Sequence, residues 1–526
     1  MKRKLALLLS IVMAAGMLTA CGSDGGEKKT DNAARQEEQD ETAAAPNEVE
    51  SDETLTVVLA GEPEGMTRLA GNNDVGLYIN PSFGHLLSYN SETKEIESGI
   101  ADYEIIDDTH YRFTIKDEVV FSDGTPVTTE DVQYTMQCYK DANVQAISSF
   151  DVENFVVEDD QNIIIALENY ERGWEYDLTS ELPIFSKRSI DEIGVENTAM
   201  QAPISCGKYT VNEWKHGQYI LYERNENYWD DSYTGYFKYI KMMFVPDAAS
   251  RVLAVRSGDA DVANEVSITD YTSLKGDATV SASAYPTGKV VNLLFNCQKM
   301  TDEKAREAVA HAVNAENVNS VLNLGEGKVV QGLFDPEFQY YAPVYEEEHA
   351  EYDVELAKEM WQKTDYAKSG IPLKLICLQS YKNAAAVVQE DLRQSGIEVE
   401  VNVMDQMAYL ETSRSGDYDM QISNSLAIIP RNTTYAQINP SQIGQAANSI
   451  RYETKELSAA IEKAESSDDT EAKEGYEEIQ KIVFDNYCLV GLCDTEAYCV
   501  YNKDIEGFTV GSILNRVDFT MMYREQ

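Results

Sequence analysis

The amino-acid sequence predicts a mixed α/β fold organised in two lobes, and three observations favour that prediction. Residues 373–423 alternate strand-like and helix-like segments, the pattern of a parallel sheet covered by helices. The segment RSGDADV at 256–262 recurs as RSGDYDM at 414–420, so two parts of the chain use the same local sequence. A length of 526 residues leaves room for several domains, each with its own core.

The first predicted elements are a strand, a second strand, a turn and a helix. Residues 55–60 (LTVVLA) are a β-branched run that ends at a glycine, which is typical of a core strand. Residues 111–115 (YRFTI) alternate with the period of two of a half-buried strand. The Asp-Gly pair at 123–124 favours a tight turn. Thr128 or Thr129 then caps a helix that has acidic residues in its first turn.

The second half of the chain carries the clearer α/β pattern. Strands joined in sequence by helices form parallel sheets, and ligands on such sheets bind at the carboxyl ends of the strands. The predicted strands are 373–378, 397–403 and 418–423, and the predicted helices are 383–394 and 406–414.

The repeated segment predicts a specific joint between helix and strand. In each copy a glycine, Gly258 or Gly416, follows a helix-like stretch. Glycine at a helix end adopts the left-handed conformation that other residues avoid, and the following aspartate favours a turn. We therefore expect the same joint in two separate lobes.

The start of the chain has the form of an export signal. Basic residues precede an apolar run at 5–18, which is shorter than the ~20 residues that a membrane-spanning helix needs. The run ends in LTACG at 18–22, which resembles the bacterial lipobox and predicts a lipid on Cys21. We expect residues 1–20 to be a signal peptide and residues 21–54 to be a disordered acidic tether. The predicted location is extracytoplasmic, anchored to the bacterial cell membrane.

The charge of the chain limits its partners. Its 43 basic and 91 acidic residues give a formal charge of −48, which repels nucleic-acid phosphates and anionic lipid headgroups. Hydrophobic residues make up 43% of the chain, too many for a disordered protein. We expect a globular monomer without a nucleic-acid partner, attached to the membrane through the lipid on Cys21.

The sequence lacks the common catalytic signatures. It has no Gly-x4-Gly-Lys-Ser/Thr phosphate loop, no Gly-x-Ser-x-Gly and no His-Glu-x-x-His. Its five histidines have no metal-ligand spacing, and we expect His311 at a solvated or edge position of a helix. With 91 carboxylates, a pair of acids in one cleft is expected by chance. We therefore expect no enzyme, no cofactor and no metal.

The cysteines other than Cys21 are scattered and odd in number, which disfavours a disulfide framework. Cys488, Cys493 and Cys499 lie close in sequence, but no histidine lies near them. We interpret these three as buried apolar residues on adjoining strands rather than as a metal site.

A series of short motifs stands in a consistent order along the body of the chain. The motifs are IADYEI (100–105), DD (107–108), YRF (111–113), VFSDG (120–124), TEDV (129–132), RNENYW (224–229), SGDADV (257–262), LFN (294–296), AREAV (305–309) and YDVELAK (352–358). With them, residues 55–526 resemble the extracellular solute-binding proteins, family 5, of ATP-driven importers. That family includes oligopeptide-, dipeptide- and nickel-binding proteins.

The resemblance implies a two-lobed, hinge-connected fold of the periplasmic-binding-protein type (type II, the large class with an inserted subdomain). The strands predicted at 373–423 from the residues alone fall inside its second lobe. A closing motion about crossings near residues 286 and 488 is then expected. The implied boundaries are 55–84, 200–286 and 488–526 for lobe I, 85–199 for the inserted subdomain and 287–487 for lobe II.

The resemblance also implies where a ligand binds. In peptide-binding members the ligand lies extended between the lobes and pairs with protein backbone. A typical member has a Trp and an Asp after the strand that matches 418–423, whereas this chain reads SNSLAIIPRN at 423–432. A ligand carboxylate is expected on Arg431, and an amine on Glu62 or Glu64. The candidate ligand-binding residues are Glu62, Glu64, Met66, Tyr209, Ser423, Asn424, Ser425, Arg431 and Tyr435, with Tyr340 and Tyr341 as further cleft aromatics.

Three functions stay open at this point. The first is an ABC-importer lipoprotein that captures a peptide or peptide-like solute and delivers it to a permease driven by ATPase subunits. The second is a receptor of the same fold for nickel or a metal chelate, favoured by VPD at 245–247 but disfavoured by the few histidines. The third is a surface adhesin, a chaperone or an enzyme with an unrecognised site.

Overall fold

The structure is a computed structural model. It describes residues 53–70, 76–233, 235–330, 332–344, 351–427, 437–445, 448–511 and 516–525. Within those ranges, every helix is too short or too polar to span a lipid bilayer.

Strands make up the centre of the molecule. Among the described residues, ten of them form one mixed sheet in the order β14-β13-β15-β12-β16-β11-β1-β10-β9-β8. A smaller sheet has the order β4-β5-β7-β6, and β2-β3 and β17-β18 are hairpin-like pairs. The strands are β1 (Thr54–Leu59), β2 (Leu87–Asn90), β3 (Glu95–Ser98), β4 (Ala101–Asp107), β5 (His110–Ile115), β6 (Val156–Val157), β7 (Asn162–Ala166), β8 (Tyr209–Lys215), β9 (Tyr219–Arg224), β10 (Tyr239–Phe244), β11 (Val262–Ala263), β12 (Val280–Phe295), β13 (Leu373–Leu378), β14 (Val399–Met404), β15 (Met420–Leu426), β16 (Leu489–Asn502), β17 (Ile505–Glu506) and β18 (Tyr523–Arg524).

Helices cover the sheets and connect the strands. The described α-helices are α1 (Gly76–Ile79), α2 (Thr129–Asp141), α3 (Asp177–Ser180), α4 (Lys187–Ile193), α5 (Ala248–Ser257), α6 (Ile268–Leu274), α7 (Glu303–Ala312), α8 (Ala315–Leu322), α9 (Val354–Trp361), α10 (Asp365–Ser369), α11 (Lys382–Gln394), α12 (Gln406–Ser415), α13 (Lys455–Ala464) and α14 (Asp469–Asp485).

Two long strands connect the halves of the main sheet. β12 and β16 pair antiparallel over almost their whole length, and the pairing register breaks between Pro286 and Val290. On one side of the break β16 continues to β11, and on the other side β12 continues to β15. The chain therefore passes twice between two halves of the sheet, and both passages lie at the same place.

Hydrophobic side chains form three main core regions. One region contains Leu55, Tyr285 and Cys499, and we call it lobe I. A second extends from Ile79 to Cys206 along the chain, and we call it the inserted subdomain. The third extends from 291 to 493, and we call it lobe II. The molecule is thus a two-lobed α/β protein, as predicted; the boundaries proposed above at single-residue level stay a prediction.

The local predictions from turn and cap residues are confirmed. The Thr128 backbone N–H and hydroxyl both donate to the Asp131 carboxylate at the start of α2. Gly258 and Gly416, at the ends of α5 and α12, have φ values of 81° and 73°, in the left-handed region predicted by the repeat. β13 runs parallel to both β14 and β15, which confirms the parallel sheet of lobe II.

Two strands begin later than their sequence pattern suggests. The prediction at 397–403 corresponds to β14 (Val399–Met404), and the prediction at 418–423 corresponds to β15 (Met420–Leu426). In β15 the delay has a physical cause, because the Asp419 carboxylate accepts a hydrogen bond from the Lys374 N–H at 2.7 Å. The residues between α12 and β15 thus form the contacts of the joint, and β15 begins after them.

The described cysteines are all buried, and none of them forms a disulfide with another described cysteine. Cys493 and Cys499 both lie on β16, and Cys488 precedes it, so their expected position on adjoining strands is wrong. They are buried apolar residues, as expected. His311 is half-buried on α7, and its Nδ1 lies 2.7 Å from the Glu351 carbonyl oxygen, in agreement with an edge position.

Candidate ligand-binding cleft

The carboxyl ends of strands from both lobes meet near the break in the crossing strands. In lobe II, β13, β14 and β15 run parallel, and β15 ends where Leu426 pairs with Lys289. In lobe I, β1 runs parallel to β10 and β11, and β11 pairs with the distal part of β16. The loops after β1 and after β15 therefore lie at facing edges, where ligands bind on α/β sheets.

On the lobe I side, Glu62 is held by the turn between β8 and β9. Its carboxylate accepts hydrogen bonds from Trp214 Nε1 at 2.8 Å and from the Gly217 N–H at 2.8 Å. The Nδ1 atom of His216 lies 2.9 Å from the same carboxylate. Glu64, two residues further, is exposed to solvent. Of the two acids, Glu64 is the one that is accessible to a ligand amine without giving up a protein partner.

Two of the predicted ligand contacts lie in the core of lobe I instead. Met66 is fully buried among lobe I residues. Tyr209 is also buried, and its hydroxyl donates to the Phe237 carbonyl at 2.7 Å. Both side chains pack in the core and are not accessible to a ligand, because the segment after β1 and the start of β8 fold against the sheet. We therefore leave Met66 and Tyr209 out of the ligand contacts proposed below.

On the lobe II side, the end of β15 presents three polar residues in alternation. Asn424 is exposed, and its Nδ2 donates to the Tyr381 hydroxyl. Ser423 is half-buried and Ser425 is buried, because neighbouring residues of a strand point to opposite faces. Asn424 is thus the member of the predicted group that lies open at the facing edge.

Sequence analysis missed the buried polar residues Asn292 and Gln421, which lie beside the predicted Ser425. Asn292 on β12 and Gln421 and Ser425 on β15 each have a buried polar side-chain atom without a hydrogen-bond partner in the described part of the chain. Asn292 pairs with Ser423 across the two strands, so these side chains share one face of the sheet. Unsatisfied buried polar atoms are costly, and ligand atoms or water are their usual partners. Burial of polar residues on adjacent strands has no signal in the sequence of either strand alone.

Several predicted residues lie outside the described residues, namely Cys21, Arg431 and Tyr435. Tyr341 is half-buried against the lobe II core.

Tyr340 takes part in a contact between the inserted subdomain and lobe II. Arg172 of the subdomain donates to the Tyr340 hydroxyl and to Asp469 Oδ1, each at 2.6 Å. Its Nε also donates to the Ser466 carbonyl at 3.1 Å. Tyr340 stacks on Tyr476 with ring centroids 4.9 Å apart. We call Arg172, Tyr340, Ser466 and Asp469 the clasp; Arg172 was not predicted, because its partners lie far along the chain.

Further contacts accompany the clasp across the same gap. Lys94, in the turn between β2 and β3, pairs with Glu337 of lobe II at 3.2 Å. Tyr176 of the subdomain packs against Leu426 at the end of β15. The subdomain therefore touches lobe II beside the strand ends.

Glu175 is an acid beside the clasp with a shifted ionisation. Burial raises its pKa to about 7, an effect opposed by the positive charge of Arg172 and increased by Asp469. A carboxyl group that titrates near neutral pH within a cleft is a common feature of binding sites. No group of three or more histidine, cysteine or acidic side chains within the described ranges is arranged to hold a metal ion.

A family model matches a large part of the chain. The model of the bacterial extracellular solute-binding proteins, family 5 (middle), matches residues 95–444, more than half of the chain. The chain belongs to this family.

Relatives named as peptide-binding proteins span almost the whole length of the family 5 protein, and a nickel-binding relative spans about three fifths of it. It is 27% identical to the oligopeptide-binding protein AppA of Bacillus subtilis, with 96% of each chain covered. It is 24% identical to the probable D,D-dipeptide-binding periplasmic protein DdpA of Escherichia coli, over 90% of this chain and 94% of that protein. A nickel-binding periplasmic protein of Escherichia coli is 25% identical over 59% of this chain and 63% of its own.

The fold of the family 5 protein is that of a solved relative. The crystal structure of a putative peptide-binding protein AppA from Clostridium difficile superposes with a TM-score of 0.76 at 20% identity, covering 90% of this chain and 100% of that one. The two-lobed periplasmic-binding-protein fold predicted from the sequence is thereby confirmed. The general role of the protein, which follows from its family, is solute binding.

Proposed function

We propose that this family 5 protein is the extracytoplasmic receptor of an ABC importer, which captures a peptide or peptide-like solute between its lobes and passes it to a permease. The observation that carries the proposal is the meeting of the β1 and β15 carboxyl ends at facing edges, beside the clasp. The pairing of β13 with β15 stops at Gln421, and the side of β15 beyond that residue can pair with an extended peptide in the manner of strand addition. The importer's ATPase subunits supply the energy, and the receptor returns the solute unchanged.

The proposed contacts combine described residues near the gap with two predicted residues that lie outside the described part of the chain. Glu64 receives a ligand amine, and Asn424 hydrogen-bonds ligand backbone. Glu62 supports the lobe I loop through its three partners. The remaining proposed contacts are Ser423, Ser425, Arg431 and Tyr435.

A thermal-shift experiment tests the proposal. The protein is heated with pools of di- to pentapeptides, and a ligand present at ~100 times its Kd adds ~2.7 kcal/mol of stability. We expect at least one pool to raise the melting temperature by several degrees, with the peptide recovered intact by mass spectrometry. If every pool leaves the melting temperature unchanged, or if the peptide is cleaved, the proposal is wrong.

A matched pair of variants tests whether the ligand binds at the carboxyl end of β15. Asn424→Ala removes the exposed amide at the end of β15 and is expected to weaken binding of the stabilising peptide ~10-fold. The control is Asn212→Ala on β8, the edge strand of the main sheet on the lobe I side. It removes an amide whose hydrogen-bond partner in the described structure is Glu223, and it should leave the affinity for the peptide unchanged. Equal affinities for the two variants would contradict the placement.

A second candidate function is reception of nickel or a metal chelate. It is supported by the likeness to a nickel-binding relative reported above. Ni(II) alone and Ni(II) with histidine are therefore run beside the peptide pools. Stabilisation by the nickel–histidine mixture, with no response to peptides, would assign the chelate role instead.

We also propose the lipid anchor on Cys21, with the permease docking on the lobe faces that flank the cleft. The basis is the lipobox-like LTACG sequence before the acidic segment. Cells fed an alkyne fatty acid should label the wild-type protein and not Cys21→Ser, and that variant should leave the membrane fraction. Labelling of both the wild-type protein and Cys21→Ser would refute the lipid assignment. Light scattering of the purified protein tests whether it is a monomer, as proposed.

A further inference from the structure

Two thiols meet where the chain enters and leaves lobe II. Cys297 lies two residues after β12, and Cys488 lies just before β16. The Phe295 N–H donates to the Cys488 carbonyl at 3.0 Å, so the end of one strand and the start of the other are hydrogen-bonded neighbours. The Cys297 thiol donates to the Phe295 carbonyl at 3.7 Å and the Cys488 thiol donates to the Asn486 carbonyl at 3.9 Å, and the two thiols are close enough to shift each other's pKa.

A buried cation lies beside this pair. The Arg306 guanidinium is buried and donates to the carbonyl oxygens of Met300, Asn486 and Tyr487. These partners are neutral, so its positive charge remains available to favour a nearby thiolate. The adjacent Cys488 thiol and the charge of Arg306 lower the pKa of Cys297.

Other buried cysteines have the opposite environment. Burial raises the pKa of Cys206, Cys493 and Cys377, as expected for thiols among apolar groups. Burial raises the pKa of Cys488 as well, so only Cys297 among these thiols has a lowered pKa. The pair differs from the other cysteines in the contact between two thiols and in the adjacent guanidinium.

We propose that Cys297 and Cys488 form a disulfide bond in the exported protein. The oxidant is an external disulfide that reacts by thiol–disulfide exchange. The Cys297 thiolate attacks one sulfur of that disulfide and expels the first thiolate; the Cys488 thiolate then attacks Cys297 Sγ and expels the second. One S–S bond is broken and one is formed, two protein thiols are oxidised, and their protons pass to the released thiolates.

The bond would close lobe II at its base. It joins the strand that enters the lobe to the strand that leaves it, and so closes the chain between 297 and 488 into a covalent loop. Crosslinks across long loops restrict the unfolded chain most. The pairing break at Pro286–Val290 lies seven or more residues from Cys297, ~20 Å along an extended strand, so the hinge stays free. Because both thiols are buried in the folded lobe, the external disulfide reaches them during folding, as the contacts around Arg306 form.

The test compares two preparations of the full chain, refolded in oxidised and in reduced glutathione, with free thiols then alkylated in denaturant. Peptide mapping without reductant should show a linked pair that contains Cys297 and Cys488, with two fewer free thiols. The melting temperature of the oxidised form should exceed that of the reduced form by ~5 °C or more. This comparison needs no variant, so it does not depend on a substituted chain folding.

Variants assign the effect to these two residues. Cys297→Ser and Cys488→Ser should each abolish the linked peptide and the redox-dependent shift. Cys377→Ser, which removes another buried thiol of lobe II, should retain both. Unchanged thiol counts in oxidised glutathione, or a linked peptide with different cysteines, would overturn the proposal without affecting the proposed solute-binding function.

Discussion

The joints at the bases of the two lobes are built alike. In each, a helix ends at a left-handed glycine, and an aspartate three residues later reaches back to a neighbouring strand. Asp261 Oδ2 accepts a hydrogen bond from the Thr56 N–H at 2.8 Å, and Asp419 Oδ2 accepts one from the Lys374 N–H at 2.7 Å. The strand that receives this bond is β1 in lobe I and β13 in lobe II.

The likeness extends to the crossing strands. The N–H of Asn502, at the end of β16, donates to the Asp261 carbonyl, and the N–H of Asn296, after β12, donates to the Asp419 carbonyl, each at 2.9 Å. Each asparagine side chain also donates to the carbonyl of the residue before its aspartate, at 3.2 and 3.1 Å. The amino ends of the parallel strands are therefore fixed by the same contacts in both lobes.

The lobes differ at the opposite ends of those strands. After β1, Glu62 is engaged by three protein partners, whereas β15 ends in an exposed Asn424 and a buried Ser425 whose hydroxyl has no partner in the described part of the chain. The two lobes therefore share the contacts at their joints and differ at the carboxyl ends of their strands. Binding chemistry in α/β proteins is expected at the ends that differ.

The largest expected effect comes from breaking the shared joint. Asp261→Ala leaves the Thr56 N–H and the Arg524 guanidinium, 2.8 Å from Asp261 Oδ1, without their partner. We expect the free energy of unfolding to fall by about 3 kcal/mol. Asp419→Ala should cost about 2 kcal/mol, because its cation, Lys299, lies farther away at 3.6 Å. Urea denaturation measures both losses.

The control for these variants is Asp259→Ala, an exposed aspartate two residues from Asp261. Its removal should change the free energy of unfolding by less than ~0.5 kcal/mol. Equal losses for all three variants would show that the two joint aspartates have no special role.

The two joint glycines give a sharper comparison. A Cβ atom at Gly416 would lie 2.8 Å from Arg451 Cζ, whereas one at Gly258 would meet nothing within 4 Å. Both substitutions carry the strain of a positive φ, and only the first also displaces a buried guanidinium. We expect Gly416→Ala to cost about 2 kcal/mol and Gly258→Ala about 1 kcal/mol. A larger loss for Gly258→Ala in thermal melts would contradict this account.

The clasp is expected to act on ligand affinity rather than on folding. Arg172→Ala removes the bonds to Ser466, Tyr340 and Asp469, so the arrangement in which the subdomain touches lobe II loses stability relative to one in which the two lie apart. We expect solute affinity to fall ~10-fold, with a larger radius of gyration by small-angle scattering in the absence of solute. Arg188→Ala, which removes an exposed pairing with Asp123 in the same subdomain, should change neither quantity.

The smallest expected effect is a pH dependence at Glu175. Its pKa is raised from 4.5 to about 7 by burial, so the folded protein holds this proton more tightly than the unfolded chain does. The stability due to Glu175 is therefore full below pH ~4.5 and is lost as the pH rises through 7. After allowance for its partial exposure, we expect a loss of about 1 kcal/mol, absent in Glu175→Gln. Identical pH profiles of unfolding for the two proteins would rule out this role.

Sequence analysis identified what short stretches encode. The Asp123 turn, the Thr128 cap and the joint at Gly416 each depend on residues within a few positions of one another, and all were found in the structure. The parallel strands of lobe II followed from helix and strand lengths. The start of β15 was misplaced because Asp419 is used by a contact to Lys374, 45 residues away in sequence.

The candidate site depended on contacts that no short stretch reveals. Arg172 and Asp469 are 297 residues apart in sequence, so nothing local identified the clasp. Met66 and Tyr209 were predicted as ligand contacts from their loops, yet the chain folds both side chains into the lobe I core. Tyr340 was expected to line the cleft, and its role is to receive Arg172 beside it.

Hydrogen–deuterium exchange with and without the stabilising solute is the most direct test of the cleft. The account predicts slower exchange of backbone amides at 60–65 and at 420–427 when solute is bound, with no change at the opposite strand ends near 371–375. Protection confined to regions away from the β1 and β15 ends, with those ends unchanged, would contradict it.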